Sequence, residues 1–289
     1  MMPWSGVFDA HVDTLLVIGS ASSFIDGNAE THVDLPRARV SGVSGMVVAI
    51  CAEACQDPRE ALSRGLEQWA EIKAASEGMD LRLGLEGCEP LAAGWIPRDA
   101  VDAFSVATLT WNGMNSLGGG TGTDEGLTAV GRRIVHQLHD TGVVIDVSHL
   151  CDRARRDVIS MGLPVSATHS NCRSLCDVPR NLPDDDIREI AALGGVVGIT
   201  FVPDFTGPDA SLDMVLDHLE HAASVAGVAH VGFGSDFDGV KHLPEGITDV
   251  TAWPSVFEAL ERRGWRTTEM ELVAGGNWRR VFDGGGTGR

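Results

Sequence analysis

Residues 142–149 read GVVIDVSH, a run in which apolar residues follow one another without alternation and then give way to an acid and a histidine. Continuous hydrophobicity of this kind belongs to a strand covered on both faces, as in a parallel sheet flanked by helices. Seven further runs have the same character: GVFDAHV (6–12), GVSGMVVAI (42–50), LRLGLEG (81–87), FSVATLTW (104–111), LPVSATHS (163–170), GGVVGITF (194–201) and HVGFGSDF (230–237). Amphipathic stretches lie between them, among them 58–77, 126–142, 184–194 and 211–227, several opened by Ser, Asp or Pro and closed by Gly as capped helices are. Strand and helix alternating eight times predicts an α/β chain folded as a (β/α)8 TIM barrel, one domain over 1–282 with a flexible Gly-rich tail over 283–289. A doubly wound open sheet is the alternative.

Composition narrows what such a chain does. It has 289 residues, 43% hydrophobic and 22% charged, with a formal net charge of −19. No apolar run reaches the roughly 18 residues a membrane helix needs. A phosphate backbone is held by clustered Lys and Arg, and no such cluster occurs, so the expected partner is a small molecule and neither nucleic acid nor membrane. His11 and Asp13 interrupt the only stretch resembling a secretory leader, which points to a cytoplasmic protein. Cys51, Cys55, Cys88, Cys151, Cys172 and Cys176 are read as free thiols. The four-residue spacing of 51/55 and 172/176 is looser than a usual zinc knuckle. The Gly-rich loop at 118–126 lacks both the phosphate-cradle and the dinucleotide spacing and is read as a flexible active-site loop.

A parallel barrel carries its chemistry at the carboxyl ends of its strands. Those ends hold His11 and Asp13, Glu86, Asp146 and His149, His169, and Asp236 and Asp238. Residues at i and i+2 of a strand share a face, so His11 and Asp13 point together. Each residue taken singly reads as a solvated strand end. Their convergence would bury several charged groups in one cavity, at high cost without a cation. Imidazole and carboxylate are zinc ligands, and five exceed what one catalytic zinc takes; two metals with one shared carboxylate fit the count better. His136, His139, His218 and His221 fall in helix patterns and are expected to be exposed or capping, while His32, His230 and His242 lack a partner motif.

Ordered motifs run along nearly the whole chain: DAHVD (9–13), LEG (85–87), LTWNGMNSLGGG (109–120), GLT (126–128), IDVSH (145–149), ATHSN (167–171), PRNLPDDDIREIAALGGVVGITF (179–201), GFGSDFDG (232–239) and GGNWRRVF (275–282). In these the chain resembles the membrane dipeptidase (renal dipeptidase) family of zinc peptidases, in the amidohydrolase superfamily. The resemblance implies a barrel of the metal-dependent hydrolase type and a homodimer. It implies two Zn2+ ions, His11 and Asp13 on the first, Glu86 bridging, His149 and His169 on the second. It also implies that Arg180 holds the C-terminal carboxylate of a dipeptide, tolerant of a D-residue there, and that Asp236 transfers a proton. Asp238 is then structural, and Asp9 a buried support for His11 and Asp13.

The pattern departs at Trp111, where vertebrate-type members have a histidine. Trp111 either donates through its indole N–H or walls the substrate pocket, and the wall is preferred. The alternatives to a dipeptidase are hydrolysis of a related amide or β-lactam in a peptide-like biosynthetic intermediate, and a non-catalytic barrel binding a metal or ligand.

Overall fold

The computed structural model describes residues 6–284. Each of the eight apolar runs coincides with a strand to within a residue or encloses one: β1 Val7–Val12, β2 Val43–Cys51, β3 Asp80–Glu86, β4 Val106–Thr108, β5 Val144–Asp146, β6 Val165–Ser166, β7 Val197–Ile199 and β8 Val231–Phe233. β1 to β6 form one parallel sheet in sequence order, curled into a half-barrel, and β7 pairs with β8 in a second. Isolated parallel bridges join Ala167 to Val197 and Val12 to Phe237. Across the second of these, the Asp13 amide donates to the Phe237 carbonyl at 2.8 Å. Strands from β4 onward are shorter than the runs predicting them. The remaining residues of each run leave the ladder as loops, and those loops hold the polar groups.

Local signals explain the helices. The Asp57 side chain accepts from the Glu60 amide ahead of Pro58–Ala75, with proline at the first helical position. Thr128 and Ser211 cap Ala129–Asp140 and Leu212–Ala226 in the same way. Three acids fill the first turn of Asp184–Ala192, where they complement the positive end of the helix dipole. Among the described residues no helix is long and apolar enough to cross a membrane.

Two apolar regions result. The larger lies between the sheet and its helices. The smaller gathers Phe8, Val47, Val106, Val144 and Val196 around Trp278, at the amino-terminal side of the sheet. Trp278, on the helix Asn277–Gly284, is fully buried and donates its indole N–H to the Phe233 carbonyl at 3.0 Å. A side chain at Gly232 would run into that indole. Phe282 stacks on Trp278 with ring centroids 5.7 Å apart and meets Phe8 at 5.4 Å. The last helix thus plugs the end of the sheet opposite the loops.

Several expectations change. The first part of the loop at 118–126 is packed: Gly118, Gly119 and Gly120 are buried, the Gly120 amide donates to Gly113 at 2.6 Å, and Thr121 donates to the His149 carbonyl at 2.7 Å, while Gly122, Asp124 and Glu125 are exposed. A Cβ at Gly120 would collide with the Trp111 carbonyl, so glycine here buys close approach of two backbones. His218 is buried between the Cys172 amide and the Thr206 carbonyl, not exposed. Asp283 and Gly284 complete the last helix, and residues 285–289 of the expected tail lie outside the described residues. All six cysteines are free.

Trp278→Ala would leave a cavity that the surrounding strands cannot fill, at a cost of about 3–5 kcal/mol. Urea unfolding would show it as a lowered midpoint at unchanged slope; a loss well under 1 kcal/mol would contradict the plug.

Candidate metal centre

His11 lies near the end of β1, with Asp13 just beyond it, and Glu86 closes β3. His149, His169 and Asp236 each sit three residues past the last residue of β5, β6 and β8. All six are buried. His149 Nε2 is 2.9 Å from Glu86 Oε1, His169 Nε2 is 3.4 Å from it, and His11 Nε2 is 3.8 Å from it. His11 Nε2 is also 3.5 Å from Asp13 Oδ1. The structure therefore brings the six residues together.

A buried carboxylate outside this set fixes the histidines. Asp146 accepts from Thr108 Oγ1 at 2.8 Å, Thr168 Oγ1 at 2.5 Å, and the Ser148 and Thr168 amides at 2.9 Å each. The Thr168 hydroxyl gives its proton to Asp146 and so accepts from His169 Nδ1 at 2.8 Å. His149 Nδ1 faces another acceptor, Asn112 Oδ1, at 3.0 Å. Both rings accordingly carry their proton on Nδ1 and turn bare Nε2 lone pairs inward, 3.0 Å apart. Burial, with the charges of Arg180 and His11, holds both rings well below the usual histidine range, hence neutral. Two lone pairs and a carboxylate oxygen at these distances repel unless a cation lies among them.

The other half of the cluster makes the same demand. His11 Nε2, Asp13 Oδ1 and Glu86 Oε2 are buried without a hydrogen-bond partner. Burial draws the His11 pKa down, but Glu86, Asp13 and Asp236 outweigh it and lift it to about 10. Burial and the neighbouring Asp13 push Asp236 well above the carboxylate range. Ligand atoms fall into two groups that could each hold an ion, Glu86–His149–His169 and His11–Asp13–Asp236. A third grouping includes Asp146, but its two oxygens already accept four hydrogen bonds. The residues present fit metal binding.

His149 and Asp236 have φ of 65° and 63°, a left-handed backbone that side chains other than Gly rarely adopt. Gly239 passes directly over the acids; a Cβ there would strike Asp236 Oδ1 and Asp13 Oδ2. Asp9 accepts from the His11 amide, the Ser235 amide and the Ser235 hydroxyl at 3.3, 2.8 and 2.6 Å, tying β1 to the end of β8. Burial lifts it to about 6 against those bonds. Asp238 accepts from Thr14 Oγ1 at 2.7 Å, and its amide donates to His32 Nδ1 at 3.0 Å, so His32 has a partner that its sequence did not reveal.

Arg180 is buried; one NH1 donates to Ser170 Oγ at 2.8 Å, and the guanidinium lies 5.5 Å over the Phe205 ring. Its Nε and NH2 have no hydrogen-bond partner among the described residues. Trp111 is half-buried at the edge, its ring 6.4 Å from that of His149. Asn112, Thr168 and Ser170 escaped sequence reading because each acts through a neighbour. Their one visible signal was their place inside the LTWNGMNSLGGG and ATHSN motifs.

Fold and donor set define a class: parallel α/β proteins with a buried metal-ligand cluster at the carboxyl ends of the strands, the arrangement of metal-dependent hydrolases. Residues 74–284 match the family described as membrane dipeptidase (peptidase family M19), and the chain belongs to that family. An uncharacterized dipeptidase of Schizosaccharomyces pombe is 34% identical over 211 residues, 69% of this chain and 52% of that protein. A dipeptidase of Aspergillus oryzae is 36% identical over 162 residues, 54% of this chain and 38% of that protein. The chain spans about half the length, or less, of these curated relatives. Dipeptidase AC, a metallopeptidase of family M19, superposes with TM-score 0.86 at 25% identity, covering 96% of this chain and 98% of that one. A metallopeptidase from Rhodobacter sphaeroides, bound to a phosphinate mimic of L-Ala-D-Ala, superposes with TM-score 0.83 at 25% identity, with the same coverages.

Thr168→Val removes the acceptor that sets the His169 tautomer. Metal affinity, read by competition with a chromogenic chelator, should fall about 10–100-fold. Unchanged affinity would contradict the tautomer argument.

Proposed function

We propose that the protein is a dizinc dipeptidase built on a (β/α)8 barrel, closed through the Ala167–Val197 and Val12–Phe237 bridges. The observation carrying this reading is a buried guanidinium with two unused donor nitrogens beside a buried ligand cluster. Arg180 is near enough for its charge to depress His149 and His169, yet two of its donor nitrogens are unused. A desolvated arginine fork with free donors is suited to a planar carboxylate.

In this reading His11 and Asp13 hold one zinc, His149 and His169 the other, and Glu86, whose Oε1 lies within 3.8 Å of His11 and 2.9 Å of His149, serves both. Bound zinc supplies a Lewis acid and lowers the pKa of water. Arg180 anchors the C-terminal carboxylate and so measures substrate length, because a longer peptide presents no carboxylate there. Asp236, as the carboxylate beside the His11–Asp13 group, takes the proton from the attacking water and passes it to the leaving amine. Trp111 walls the pocket. The ligand of the R. sphaeroides relative, a mimic of L-Ala-D-Ala, supports a substrate with a D-residue at its C-terminal side.

A panel of L,L- and L,D-dipeptides assayed with and without zinc tests the proposal. Turnover should require zinc, with about two ions per chain, and Glu86→Ala should lower it at least about a hundredfold. Full activity in that variant would rule out a shared carboxylate, and no turnover of any dipeptide by the zinc-loaded protein would overturn the function. Arg180→Ala should raise KM for dipeptides about 10–100-fold, more than it lowers kcat.

A further inference from the structure

A second arginine lies behind the first. Arg173 Nε donates to the Asn181 carbonyl at 3.0 Å, and its NH2 donates to the Pro179 carbonyl at 2.9 Å. These are the backbone groups on either side of Arg180. The same guanidinium forks onto Asp152, NH1 to Oδ2 and NH2 to Oδ1, at 2.7 Å each. Asp152 also accepts from Arg155 NH2 at 2.6 Å, and Arg155, itself buried, donates to the Leu150 carbonyl at 3.1 Å and to Asp186 at 2.6 Å. Leu150 directly follows His149. An unbroken set of charge-assisted hydrogen bonds therefore runs from the His149 loop to both flanks of Arg180. The Asp152 carboxyl is held far below its usual range, first by the Arg173 hydrogen bond.

The arrangement matters because little else aims Arg180. Its side chain has a single hydrogen bond, to Ser170, and the face of Phe205. The direction of its free Nε and NH2 is then set chiefly by where the backbone at 179–181 lies. Bidentate recognition tolerates little displacement.

We propose that Arg173 is a positioning residue for carboxylate recognition: without touching substrate, it clamps the Pro179 and Asn181 carbonyls and registers Arg180 against the His149 loop through Asp152. The inference rests on the reading of Arg180 as the carboxylate anchor. Arg173 borders a cleft of about 390 Å³ that also touches Thr121, Asp124, Asp177 and Pro179. Replacing it there leaves Asp152 still paired with Arg155.

The test compares two ligands on the zinc-loaded protein by calorimetry: a phosphinate dipeptide mimic with a free C-terminal carboxylate, and the same mimic ending in a carboxamide. Wild type should prefer the acid. In Arg173→Met that preference should shrink about tenfold, with zinc content unchanged and amide affinity little altered. A merely structural role would lower the melting temperature and weaken both ligands alike. Should Arg173→Met fail to fold, Arg173→Lys, which can keep one Asp152 contact but not the fork and both carbonyls, should show the same selective loss. Absence of an acid preference in wild type would overturn the Arg180 reading, and the clamp with it. A preference abolished in Arg180→Met but intact in the folded Arg173 variant would overturn the clamp alone.

Discussion

The open face of the sheet depends on the carboxylate of Asp146, which is completely buried and accepts four hydrogen bonds from β4 and the loops after β5 and β6. It holds three strand ends in register where the ladders have shrunk to two or three residues. Through Thr168 it also decides which nitrogen of His169 is protonated. A fully satisfied buried acid is tolerable in a low-dielectric interior, whereas one with a missing donor is costly. The strand ends and the ligand geometry are thereby coupled to a residue that holds no ligand.

Around this anchor the cluster is internally frustrated. Nε2 of His149, Nε2 of His169 and Oε1 of Glu86 face one another as acceptors, and the unpartnered atoms of His11, Asp13 and Glu86 add to the imbalance. The fold supports this through many bonds outside the cluster: Asp9 to Ser235, Asp238 to Thr14, Asn112 to His149. Left-handed backbone at His149 and Asp236 shows the same economy, with unfavourable local geometry held in place by its surroundings.

The strands were legible because a strand buried on both faces needs continuous hydrophobicity, and all eight runs met that need. The candidate ligands were legible because they stand at the ends of those runs. What stayed hidden depends on contacts distant in sequence. His32 gave no sign of its bond to the Asp238 amide. His218 sat in a helix pattern indistinguishable from an exposed one. The loop at 118–126 looked mobile because glycine signals both freedom and close approach, and only the collision a Cβ would make with Trp111 tells them apart. Arg173 likewise reads as an ordinary surface residue until the carbonyls beside Arg180 come within its reach.

The plug at the opposite end of the sheet bears on the dryness of the polar cluster. Phe8, on β1, packs against Phe282, and Trp278 caps the Phe233 carbonyl on β8. The apolar floor beneath His11 is therefore finished only by residues far from it in sequence. A chain lacking the helix Asn277–Gly284 would present the candidate ligands without the floor that keeps them dry. Dryness at the candidate ligands is thus set from the far side of the sheet: a chain cut just before Trp278 keeps every one of these polar side chains but has no sealed interior to hold them.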